Sequence, residues 1–135
     1  MTMQPRHAFI PLGVGLALAI LALGIAWLLS DTQALEFHAV LLAVIGMAYL
    51  AFAFQDGRLA HIFIEVPVAI LFILAALAGL WTSAWFTVLG LALHGGWDFL
   101  HHRVIHTKIP RWWIPLCMVF DIVVALGLTV ILLLS

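Results

Sequence analysis

The sequence predicts an all-α integral membrane bundle of five transmembrane helices with a cytoplasmic N-terminus. Three observations carry this reading. The 135-residue chain is 67% hydrophobic and only 8% charged, too little polar surface for a water-soluble domain. Its apolar residues fall into five stretches, each near the ~20 residues that cross a bilayer. All five basic residues then fall on one side of the membrane that five spans define.

The first stretch, 8–29, has Pro11 near its first turn, where a missing N–H is tolerated. It follows Arg6 and His7 and is too long for a signal-peptide core, so it reads as a retained helix. The second covers 34–54. The third, 59–80, contains Pro67, which should bend it. The fourth covers 84–105 and the fifth 113–134. Short polar breaks separate them: Ser30-Asp31-Thr32-Gln33, the tight turn Gln55-Asp56-Gly57-Arg58, Trp81-Thr82-Ser83, and the segment 106–111. Such short connections predict a single transmembrane domain, 1–135, in which sequential neighbours pack antiparallel.

Orientation follows from charge. Arg6, Arg58, Arg103, Lys108 and Arg111 lie at the N-terminus, the second loop and the fourth loop, which five spans put on one side. The other two loops and the C-terminus carry no Lys or Arg. An excess of Lys and Arg marks the cytoplasmic side. Trp27, Trp81 and Trp85 then belong to the outer aromatic belt, and Trp112 and Trp113 to the inner one. A net charge of −1 argues against nucleic acid as a partner. Cys117 is the only cysteine, so no internal disulfide exists.

The chemistry-bearing residues concentrate toward the cytoplasmic half. His94, Asp98, His101 and His102 fall within an arc of roughly 100° on the fourth helix. His61 and Glu65 are four apart on the third and face the same way. Asp121 lies deep in the fifth. An Asp at mid-helix costs roughly 2.5 to 3.5 kcal/mol on an insertion scale, so Glu65, Asp98 and Asp121 need a positive partner or a proton. A cation held by imidazole and carboxylate satisfies several of them together.

The candidate metal ligands are therefore His61, Glu65, His94, Asp98, His101 and His102, with zinc or iron as the divalent metal. Glu65 and Asp121 are the candidate catalytic carboxylates, either one acting as general base toward a water polarised by the metal. This suits a hydrolase or oxygenase acting on a lipid-phase substrate. Other readings stand beside it: a carrier or sensor of protons or divalent metal, an accessory subunit, a homo-oligomer, or haem held by two histidines facing across the bundle. Polar residues that merely join helices, and a buried apolar role for Cys117, are the plainer alternatives. His38, near the outer face, reads as structural.

Taken together, Asp56-Gly57-Arg58, Glu65, Leu93-His94-Gly95-Gly96-Trp97-Asp98 with His101-His102, and Ile109-Pro110-Arg111-Trp112-Trp113 followed by Cys117 and Asp121 resemble an uncharacterised family of small bacterial multi-pass membrane proteins, a domain of unknown function. The resemblance covers the second to fifth helices, the first being only generically apolar. It implies an integral membrane protein and supplies no activity.

Overall fold

The computed structural model describes residues 5–135, with side chains from Phe9 onward. Arg6 and His7, expected at the cytoplasmic surface, have side chains outside the described residues. Five helices follow in order: α1 (Pro5–Trp27), α2 (Asp31–Asp56), α3 (Leu59–Trp81), α4 (Trp85–Arg103) and α5 (Trp113–Leu134). Helix α2 starts three residues before the predicted 34 because of a capping box. Ser30 Oγ accepts the Gln33 N–H at 3.4 Å, and Gln33 Oε1 accepts the Ser30 N–H at 3.2 Å. These bonds satisfy donors that the helix start would leave orphaned. Gly57, at φ 78°, ends the same helix in the left-handed conformation that glycine adopts without strain. Helix α3 continues through Pro67.

The distribution of side chains is the reverse of a soluble protein's. Large apolar residues face outward: Phe63 is 74% exposed, Phe9 70%, and Val44, Leu71 and Leu126 are similarly open. Small residues line the helix seams: Ala19, Ala22 and Ala26 on α1, Ala39 and Ala53 on α2, Ala69 and Ala76 on α3. The polar side chains Glu65, His94, Asp98 and Asp121 are buried among them. Small seam residues let helices approach closely, which is how helices associate when lipid tails are as apolar as the side chains.

Four helices are long and apolar enough to cross a membrane: Phe9–Trp27, Asp31–Asp56, Leu59–Trp81 and Trp113–Leu134. The expected fifth span, α4, is a 19-residue helix that falls short in apolarity rather than length. It carries His94, Asp98, His101, His102 and Arg103. A hydropathy average does not register that His94, Asp98 and His101 point into the bundle, at 0%, 0% and 4% exposure.

The expectation that sequential neighbours pack also needs one correction. Helix α1 touches α2 only sparsely and lies mainly along α5. A Cβ on Gly15 would collide with the Leu116 carbonyl, and one on Gly127 would meet the Leu23 side chain. The rising order of both pairs makes α1 and α5 parallel. The stripe Gly15, Ala19, Ala22, Ala26 gives α1 a flat face, and α5 fits against it.

At one end, the turn between α2 and α3 grips the 104–112 connection. Asp56 forms an ion pair with Arg58 at 2.7 Å and also accepts the Lys108 N–H at 2.8 Å. Arg58 donates to the His106 carbonyl at 2.6 Å, and His61 Nδ1 pairs with the Thr107 hydroxyl at 2.6 Å. The segment read from sequence as a tight turn is thus also a clamp on the loop that leads out of α4.

Candidate metal centre

Helix α4 supplies two of the decisive residues because His94 and Asp98 are one turn apart and face α5. Between them lies Gly95. A Cβ there would sit 2.9 Å from Ile122 Cδ1 and 3.6 Å from Asp121 Cβ. The missing side chain lets α5 close in and sets Asp121 against His94. Gly96, its neighbour, has nothing within 4 Å and plays no such part.

His94 Nδ1 lies 2.6 Å from Asp121 Oδ2 and 3.8 Å from Asp98 Oδ1. One donor atom from each of His94, Asp98 and Asp121 falls within 4.8 Å of the other two, and all three residues are buried. The Tyr49 hydroxyl, reaching across from α2, donates to Asp98 Oδ1 at 2.5 Å. Three buried atoms remain without a protein partner: His94 Nε2, Asp98 Oδ2 and Asp121 Oδ1. Unpaired polar atoms in such a place are costly, and here three of them gather on one cluster of side chains that could hold an ion.

A second polar group lies one turn along α4. His101 Nε2 is 2.5 Å from Glu65 Oε1 on α3, and the Trp97 indole N–H donates to Glu65 Oε2 at 3.2 Å. His101 Nδ1 lies 3.1 Å from the Trp97 carbonyl. A carbonyl only accepts, so Nδ1 carries a proton, and a further proton sits between Nε2 and Glu65. The Tyr49 ring stacks on the His101 ring with centroids 4.0 Å apart, linking the two groups.

Of the sequence-derived residues, Glu65, His94, Asp98, His101 and Asp121 converge. His61 and His102 do not join them. His61 is engaged with Thr107, with Asp56 Oδ2 at 3.7 Å. His102 is exposed, because one residue along a helix is ~100° around it and turns away from the seam. Cys117, one turn before Asp121, is buried as a small core residue. His38 is buried near the start of α2, away from this site, its Nδ1 bonded to the Ala34 carbonyl at 2.8 Å and its Nε2 without a partner.

Sequence reasoning missed Tyr49 as a member of the network. It is the chain's only tyrosine, and a lone phenol at the seam of an otherwise apolar helix was the available signal. Trp97 was noticed only as part of a motif.

A family model described as a family of unknown function (DUF6010) matches residues 8–131. The chain belongs to this family. The DUF6010 match begins at residue 8 and so takes in α1, beyond the second-to-fifth-helix extent read from the motifs. No curated protein and no solved structure matches the chain. The DUF6010 assignment carries no activity.

Proposed function

We propose that this protein is a bacterial inner-membrane protein that holds a divalent cation between α4 and α5, on His94, Asp98 and Asp121. The observation that carries the reading is the set of unpartnered atoms on three fully buried residues. Charge balance supports it. Two carboxylates and a neutral imidazole around a divalent cation form an electroneutral site, which suits a medium where an isolated ion is expensive. Nitrogen and oxygen donors together suit zinc, iron or manganese.

Helix α4 acts as the fifth span in this reading, its polar face shielded by α3 and α5. Arg58, Arg103, Lys108 and Arg111 gather at one end, and exposed Trp27 and Trp81 mark the other. That asymmetry supports a cytoplasmic N-terminus.

The activity that fits is a metal-dependent reaction on a lipid-phase substrate. A bound divalent cation supplies Lewis acidity to an oxygen that reaches it. His101 borders a cavity open to the loop end, with its side chain fully buried against Glu65. Glu65 orients His101 and holds the proton between them. Asp121, expected as a base, serves here as a ligand. A second reading is favoured by Asp98 and Asp121 standing with carboxylate oxygens within 4.8 Å of each other: two neighbouring carboxyls that pass a proton are the core of a relay, and the protein is then a carrier.

Elemental analysis of detergent-purified protein decides between them. A metal site gives near-stoichiometric zinc, iron or manganese, lost in His94→Ala and in Asp121→Asn. Metal-free wild-type protein that moves protons in liposomes, with Asp121→Asn blocking the flux, overturns the cation reading in favour of the relay.

A further inference from the structure

A concave space of about 870 Å³ opens at the loop end of the bundle, between α1, α4, α5 and the 104–112 connection. Its size lies in the range of pockets that enclose most of a small ligand. The lining divides by chemistry. Arg103, Arg111, His102 and His106 stand around it, and no carboxylate lines it among the described residues. The apolar walls are Leu12, Phe99, Ile114 and Met118. His101 borders the inner side, its side chain buried in the polar network behind that wall.

The cationic wall is held in place. The Arg58 and Asp56 bonds to His106 and Lys108, and the His61 bond to Thr107, fix the loop that carries His106 and Arg111. Groups set in position before a ligand arrives lose less freedom on binding it. A basic recess between helices, unlike a rim of scattered cations, gives an anionic head several donors at once, and arginine suits phosphate oxygens in particular.

We infer that this cavity binds a phosphate-headed anionic membrane lipid, its head against Arg103 and Arg111 and one acyl chain along Leu12, Ile114 and Met118. This deepens the function proposed above by naming the class of molecule held beside the buried polar network. It rests on that reading only for what becomes of the lipid. Binding itself is independent of the cation.

The test is native mass spectrometry of the full chain released from detergent, with phosphatidylglycerol, phosphatidylcholine and inorganic phosphate as probes. Phosphatidylglycerol is expected to bind at least tenfold more tightly than phosphatidylcholine. Arg103→Gln and Arg111→Gln should each weaken it three- to tenfold. Met118→Trp, which fills the apolar wall, should weaken the lipid and leave inorganic phosphate unchanged; unaltered helical circular dichroism confirms that each variant folds. His94→Ala should bind the lipid as wild type does, so loss of metal and loss of lipid are read separately. Equal binding of the two lipids, or indifference to both arginine substitutions, overturns the assignment. Inorganic phosphate binding as tightly as the lipid, with Met118→Trp silent, overturns the acyl-chain part.

Discussion

In the triangle of Glu65, His101 and Trp97 both carboxylate oxygens, both ring nitrogens and the indole N–H have partners. In the group formed by His94, Asp98 and Asp121, one turn away, three atoms have none. Both groups are buried, and both pair a histidine of α4 with a carboxylate of a neighbouring helix. The difference is saturation. A fully bonded polar group joins helices and fixes their register, which is the common role of polar residues at membrane helix seams. An unsaturated one remains costly until something else completes it. Residue type does not separate the two buried histidines of α4; the number of their satisfied atoms does.

The largest way to sharpen this contrast is Glu65→Leu. It leaves the His101 and Trp97 donors facing an apolar side chain, and breaking such a buried pair is expected to cost about 3 kcal/mol. A thermal melt in detergent should show the loss, while metal content per folded molecule stays at the wild-type level. Metal falling together with stability would merge the two groups into one site and end the distinction.

A smaller effect is expected at their junction. Tyr49→Phe keeps the ring that stacks on His101 and removes the bond to Asp98. Interhelical hydrogen bonds in membranes are worth up to ~1.7 kcal/mol, so a loss of about 1 kcal/mol is expected. Metal affinity should shift with it, since Asp98 Oδ1 is no longer held. An unchanged affinity would mean that Tyr49 serves packing alone.

The smallest effect separates two adjacent glycines. Gly95→Ala places a methyl against Ile122, whose side-chain end can yield, and should loosen the α4–α5 approach by about 1 kcal/mol or less. Gly96→Ala meets open space and should be neutral or stabilising by up to about 1 kcal/mol through helix propensity. Melting curves of the two variants in one detergent test this, and a reversed order would contradict the close approach at Gly95.

Much of the site was legible because the cost of burying a carboxylate does not depend on packing details. Glu65, Asp98 and Asp121 stood out in an apolar chain, and helical spacing put His94 on the same face as Asp98. His102 was misplaced because an arc of roughly 100° spans both the seam and its margin, and only the neighbouring helices decide where the margin falls. His61 was grouped with Glu65 by spacing, yet Thr107, distant in sequence, engages it instead. Tyr49 escaped because a phenol counts as apolar in a hydropathy reading.

The amino-acid order alone determined the five helices and, to within a few residues, their ends, since runs of apolar residues near bilayer length and short polar breaks leave the backbone few other ways to satisfy its own hydrogen bonds. It also put Glu65, His94, Asp98, His101 and Asp121 at similar heights in one half of the bundle. Tertiary structure alone decided that α1 lies along α5, that Gly95 rather than Gly96 admits a neighbour, and which donors are left unpaired. These depend on which small-residue faces find each other across the bundle, and complementarity between surfaces is not written in either surface by itself.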